Sequence, residues 1–188
     1  MEPLKIVVLA GTSREKRESI KAAKHIAAYG EKLPEVTIIF AEPNDFSFPN
    51  DGNDPEGRDA NYHALTASAD AFFIVTPEYN HSFPGSLKRM LDSEYANYVH
   101  KPVAFAGVSN GAWGGVRAVE ALVPAVREMG LIATSWSVYF PKIQDIFNAD
   151  GSMRAEHQAY YEKQIGHAYS ELIWMAQALK WGRANLSK

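Results

Sequence analysis

Three stretches of this 188-residue chain hold residue types that can grip a flat, polar-edged ligand without a nucleophile or a metal. The first is Gly11-Thr-Ser-Arg-Glu-Lys-Arg-Glu-Ser19, directly after an apolar run. A helix beginning there offers unpaired N–H groups and a partial positive charge, which attract phosphate. Thr12 and Ser13 add hydroxyls, and Arg14 or Arg17 supplies a charged clamp. The pattern lacks the second glycine and Lys-Ser/Thr of a Walker A loop, and it is not the dinucleotide glycine fingerprint. A single terminal phosphate fits it better. Simple helix capping by Thr12 or Ser13 is the competing reading.

The second stretch, Pro77-Glu-Tyr-Asn-His-Ser-Phe-Pro-Gly85, follows the buried-strand pattern Ala71–Thr76 and precedes a helical pattern. A rigid proline, aromatics and an amide can frame a ring there. The third, Ser109-Asn-Gly-Ala-Trp-Gly-Gly-Val-Arg117, carries Gly111, Gly114 and Gly115. These glycines either let a ligand approach main-chain N–H groups or serve a tight strand-to-helix turn, and both readings stand. Trp113 reads as a packing residue or a shield of that loop.

Composition narrows the chemistry further. With no cysteine, disulfides, thiolate nucleophiles and Cys-ligated zinc or iron–sulfur sites are ruled out. The six histidines are scattered without metal-ligand spacing, so no metal is expected; His81, following Asn80, reads first as a solvated surface residue and, alternatively, as the one histidine placed to face a substrate. A net charge of −3 gives no global attraction to nucleic acid or membrane. A small molecule is the expected partner. No signal-peptide pattern or long apolar segment opens the chain, so the cytoplasm is the default setting.

Five strand-like runs position these loops: Lys5–Ala10, Val36–Ala41, Ala71–Thr76, Val103–Val108 and Ile132–Tyr139. Helical patterns alternate with them, at about Arg14–Ala28, Gly115–Met129 and Ala155–Trp181. Pro124 removes a backbone hydrogen bond from the middle one and predicts a kink. The last helix carries a stripe of Tyr161, Ile165, Ala168, Leu172, Met175 and Leu179. The Pro/Asn/Asp/Gly-rich segment 42–55 is expected as a surface loop anchored by Phe46 and Phe48. The alternation predicts one α/β domain over residues 1–188, a doubly wound five-stranded parallel sheet in the order 2-1-3-4-5 with helices on both faces. In that order the loops after strands one, three and four emerge above one crevice. Phosphate enters at the first loop and a ring lies between the other two, which is a site shaped for FMN.

On these motifs the chain resembles the NADPH-dependent FMN reductase family of flavodoxin-like fold, which includes quinone, azo-dye and chromate reductases. The resemblance rests on Gly11-Thr-Ser-Arg-x-x-Arg-x-Ser19, Pro77-Glu-Tyr-Asn80 with Pro84-Gly-x-Leu-Lys88, and Ser109-x-Gly-x-x-Gly-Gly-x-Arg117. It implies that Thr12, Arg14 and Ser19 contact phosphate, with Ser13 and Arg17 beside them. It further implies that Pro77, Glu78, Tyr79 and Asn80 line the isoalloxazine and ribityl chain. Ser109, Gly111 and Gly114 would then face the pyrimidine end, with His81 and Trp113 on the substrate side.

The resulting expectation is an oxidoreductase that takes hydride from NADPH or NADH onto FMN and passes electrons to a quinone, azo compound, chromate or free flavin. No residue need act as a nucleophile or acid, because the cofactor carries the chemistry. A flavodoxin-type carrier, or a flavin-binding regulator without turnover, is the alternative. Backbone donors near Asn80 and Ser109–Gly111 are expected to meet the flavin edge. Glu78 is expected to make backbone contacts or a salt bridge across a subunit boundary. Trp174, Trp181, Tyr95 and Tyr98, together with the family's habit, point to a homodimer or homotetramer.

Overall fold

The three inner strands send alternate side chains into two different helical layers, so the centre of the sheet is covered on both faces. In the computed structural model, which describes residues 2–48 and 57–186, the strands are β1 (Leu4–Ala10), β2 (Val36–Ala41), β3 (Ala71–Pro77), β4 (Pro102–Val108) and β5 (Ile132–Phe140). All neighbours pair parallel, in the order β2-β1-β3-β4-β5. Ile6, Val8, Phe73 and Val75 pack under α1 (Ser19–Gly30) and, far along the chain, the long helix Ala155–Asn185. Val7, Leu9, Phe72 and Ile74 face α2 (Ala60–Ser68), α3 (Gly85–Asp92) and α4 (Val116–Glu128). Continuous apolar strands of this kind are what two-sided coverage of a parallel sheet requires. The strand runs, their order and the helices on both faces match the sequence expectation.

The helices differ from it in detail. Helix α1 begins at Ser19, five residues later than Arg14, because the turn before it is held by side-chain contacts described below. The α4 helix continues through Pro124, which faces solvent, and ends at Glu128. A four-residue α5 (Ile143–Ile146) precedes α6 (Ala155–Asn185), and the α6 stripe turns through Tyr169 and Ala176, leaving Met175 and Leu179 half-buried. A 31-residue helix at 3.6 residues per turn drifts around its axis relative to a fixed seven-residue repeat, which explains the change of residues. Phe46 and Phe48 do anchor their loop, both edge-on to Tyr62 with ring centres 5.1 and 5.2 Å away. The expected surface loop beyond them, residues 49–56, lies outside the described residues.

The sheet has two edges, β2 and β5, and the pairing of β5 is irregular. Ala133 pairs with Val103 and Ser137 with Phe105, so four steps along β5 oppose two along β4. The α6 residue Glu171 closes this irregularity. Its carboxylate accepts from the Ser135 and Trp136 amides at 2.8 and 2.9 Å and from the Ser135 hydroxyl at 2.9 Å. Strand edges left with free amides invite pairing with other chains, and a carboxylate on them blocks it. Burial alone would raise the Glu171 pKa, yet these donors outweigh it and hold the carboxyl below its usual value. A carboxyl held low stabilises the fold above the ordinary carboxylate pKa and loses that contribution as pH falls through the lowered value. Glu171→Gln is therefore expected to cost about 1 kcal/mol at pH 7. In urea melts that gap should close as the pH drops below about 4; a gap that ignores pH refutes the assignment.

Candidate functional site

The turn after β1 is tied down at three points. The Gly11 amide donates to the Val75 carbonyl at 2.8 Å, and a Cβ on Gly11 would stand 3.0 Å from that oxygen and 2.9 Å from Leu87 Cδ2. Thr12 is buried, its hydroxyl 3.1 Å from the Tyr79 hydroxyl, and it also accepts from the Arg14 amide at 3.3 Å. Arg17 forms an ion pair with Glu42 just past β2, and its Nη1 donates to the Arg14 carbonyl at 2.7 Å. Between these ties, the amides of Glu15, Lys16, Arg17 and Glu18 donate to no acceptor among the described residues. The exposed side chains of Arg14 and Lys16 make no ion pair there either.

The turn after β3 is a two-residue reverse turn. Tyr79 and Ser82 exchange backbone hydrogen bonds of 2.8 and 3.0 Å, while Asn80 and His81 take left-handed φ values of 50° and 64°. That mirror-image geometry suits the twist of a hairpin, and asparagine tolerates it better than most residues. Glu78 donates its amide to Val108 at 2.9 Å, extending the β3–β4 ladder by one residue. Its carboxylate Oε1 accepts from Arg117 at 3.0 Å, and Oε2 is buried with no partner among the described residues.

The turn after β4 enters α4 through Gly114 and Gly115, both left-handed at φ 62° and 84°. A Cβ on Gly115 would lie 2.3 Å from the Val108 nitrogen. These two glycines therefore serve the tight turn. Gly111, by contrast, has open space where a Cβ would go. Trp113 is exposed, with the Arg117 guanidinium 5.4 Å from its ring centre.

These turns meet in one cleft of about 200 Å³ at the carboxyl ends of the strands. Of the residues singled out from sequence, Arg14, Arg17, Ser19, Pro77, Glu78, Tyr79 and Ser109 line it. Thr12 lies behind Tyr79 as a brace, and the exposed Ser13 donates its amide to the Ser86 hydroxyl at 3.3 Å. Neither caps α1, which starts after Glu18. Asn80, His81, Gly111, Trp113 and Gly114 stand outside the lining.

Three of these groups have partners within the chain. Arg17 is engaged by Glu42, which leaves Arg14 as the unpaired arginine of the two read as a clamp. The Ser109 amide is occupied by the Phe140 carbonyl at 3.1 Å, whereas the Asn80, Asn110 and Gly111 amides have no acceptor among the described residues. Glu78 makes the expected backbone contact through its amide, and its carboxylate pairs with Arg117 of the same chain. Sequence reasoning did not single out Lys16, Asn110 or Ile143, which also line the cleft. Lys16 and Asn110 sit inside the quoted motifs and were legible as polar loop residues. Ile143 reaches the cleft from beyond β5 because its amide donates to the Ser109 carbonyl at 3.1 Å, a long-range closure with no local signal.

A crevice at the switch point of a parallel sheet, with open amides and cations at one end, defines a mononucleotide-binding α/β protein. Residues 4–145 match the family of NADPH-dependent FMN reductases, and the chain belongs to that family. It is 30% identical over 125 residues to an NADPH azoreductase of Bacillus sp. (strain OY1-2), covering 63% of this chain and 66% of that one. It is 32% identical over 123 residues to the quinone reductase of Escherichia coli K12, covering 62% and 65%. Both matches span just under two thirds of the relatives' length. In fold, the chain resembles FerB, a flavoenzyme NAD(P)H:(acceptor) oxidoreductase from Paracoccus denitrificans, with a TM-score of 0.71 at 24% identity over 93% of this chain and 98% of that one.

The contrast between the loop glycines is testable. Gly115→Ala forces a methyl group onto the Val108 nitrogen at a left-handed φ and is expected to cost more than about 3 kcal/mol. Gly111→Ala should stay within about 0.5 kcal/mol of the parent in the same urea melts.

Proposed function

We propose that this chain binds FMN in the carboxyl-end cleft and works as an NAD(P)H-dependent oxidoreductase toward small acceptors of the quinone or azo class. The observation that carries the reading is the meeting of the turns after β1, β3 and β4 in one cleft, with unengaged amides and cations at its β1 end. That donor set suits a phosphate monoester. The Glu15–Glu18 amides and the Ser19 hydroxyl would hold the phosphate oxygens, and Arg14 and Lys16 would neutralise their charge. Pro77 and Tyr79 would border the ring, and the open Asn80, Asn110 and Gly111 amides would meet its polar edge. The unpartnered Glu78 Oε2 is an acceptor for a donor on the same ligand.

Bound FMN supplies the chemistry, taking hydride from a nicotinamide and yielding electrons to an acceptor. The protein's part is to hold and orient. Open backbone amides favour negative charge on the ring edge, and the Glu78–Arg117 pair fixes the turn after β3 against the start of α4. His81 and Trp113, at the exposed rim, are the side chains available to an incoming acceptor.

We further infer that residues 1–188 form a single flavin-binding domain acting in the cytoplasm, where its reductant NAD(P)H is found, as a homodimer or homotetramer. Among the described residues no helix is long and apolar enough to cross a membrane. Support for assembly comes from Trp136, Trp174 and Trp181, all well exposed on β5 and α6. Tyr98 drops out of that surface, because it is buried and bonded to the Tyr62 hydroxyl at 2.6 Å.

Three measurements test these readings. FMN absorbance near about 450 nm should bleach on mixing with NADPH in stopped flow, reflecting the cofactor's own redox chemistry. A protein that binds FMN yet stays oxidised is a carrier, not a reductase. Replacing both Arg14 and Lys16 with Ala should weaken FMN at least about tenfold and leave riboflavin, which lacks the phosphate, nearly unchanged. Equal losses for both ligands would move the phosphate elsewhere. Light scattering at micromolar protein should give twice or four times the chain mass; a monomer refutes the assembly.

A further inference from the structure

The larger concavities lie at the opposite end of the sheet from the cleft. One of about 550 Å³ sits where β4 begins, between the end of α2, the short turn Ala96–Tyr98 and the last turns of α6. Its apolar walls include Val99, Leu179 and Leu186. Its polar groups are dominated by two cations, Lys101 and Arg183.

Lys101 is only 7% exposed, so its ammonium is a nearly desolvated charge. Nζ donates to the Thr66 and Ala67 carbonyls at 2.7 and 3.2 Å, which leaves one of its three donors. Arg183 donates to the His100 carbonyl at 2.7 Å and to Asp70 at 3.3 Å, leaving other donors of its fork. Asp70 is shared: Lys180 takes it at 2.8 Å and the Lys5 amide at 3.1 Å. Glu94, the other nearby carboxylate, is engaged by His63, Asn97 and the Tyr95 amide. Burial first, then repulsion from Arg183, pulls the Lys101 pKa down to about 8. Two cations thus border an apolar hollow: Arg183 shares Asp70 with Lys180, and Lys101 has carbonyls but no carboxylate in contact among the described residues.

We propose that this cavity is a second ligand site, for an amphiphilic carboxylate whose apolar body lies on Val99, Leu179 and Leu186 and whose anionic head sits between Lys101 and Arg183. A mostly apolar hollow with a few converging donors is the usual form of a small-molecule site. An arginine donor to a carboxylate adds direction as well as strength. The site is independent of the carboxyl-end cleft and of what that cleft binds.

Gly182, on the cavity wall, offers a clean probe. A Cβ there would meet only Leu186 Cδ1, at 3.6 Å, so a large side chain enters the hollow rather than the helix packing. Gly182 lies within the last turn of α6, where replacing a glycine does not oppose the helix. The experiment is calorimetric titration of 1-naphthoate into the protein with FMN in excess. Saturable one-site binding is expected, with affinity falling at least tenfold in Gly182→Phe and about tenfold in Arg183→Gln, the loss of one charge-assisted contact. 1-Naphthalenemethanol, with the same body and no charge, should bind at least tenfold more weakly. Absence of saturable binding, equal binding of the alcohol, or naphthoate binding untouched by Arg183→Gln overturns the proposal, and circular dichroism confirms that each variant is folded.

Discussion

Parallel pairing of β1 with both β2 and β3 is the constraint from which the rest follows. Because the chain leaves β1 to one side for β2 and returns to the other for β3, no helix crosses the gap between the β1 and β3 turns. The Gly11–Val75 hydrogen bond then holds the first turn against the end of β3, and the Thr12–Tyr79 contact links the two turns above it. Loss of register at β1 would disperse every group in the cleft at once. Sheet packing and ligand geometry are therefore one problem in this molecule.

Charge inside the cleft is partitioned by the same contacts. Glu42 engages Arg17 and Glu78 engages Arg117, so two of the arginines near the crevice are structural pins. Arg14 and Lys16, on a segment without helical hydrogen bonds, keep their charge toward solvent. Pinned cations set loop positions, and the unpinned ones stay exposed at the mouth of the cleft. Such a division leaves positive charge open to solvent while the loops around it stay ordered.

Much of the architecture was legible because it depends on local pattern. Strand-like runs of six to eight residues marked all five strands nearly to the residue, and the helical patterns between them marked the parallel pairing. What was not legible was set by long-range partners. The late start of α1 depends on Glu42 and Tyr79, 25 and 67 residues from the groups they hold. The motif glycines read alike in sequence, yet Gly115 is forced by the Val108 backbone and Gly111 faces open space. Likewise, Ser109 looked like a free donor, and only β5 pairing shows its amide to be occupied. Tyr95 and Tyr98 are three residues apart, one exposed and one sealed against Tyr62, a distinction made by α2 and invisible in the local pattern.

The reverse turn at Asn80–His81 has a consequence for how the rim can diversify. Its flanking residues Tyr79 and Ser82 exchange both of their backbone bonds, so the tip hangs from a closed clasp. Side chains at the two tip positions can be exchanged as a cassette, within the set that accepts a left-handed backbone, without disturbing the ladder beneath. The size and charge of this tip can therefore vary while the scaffold that shapes the neighbouring cleft stays unchanged.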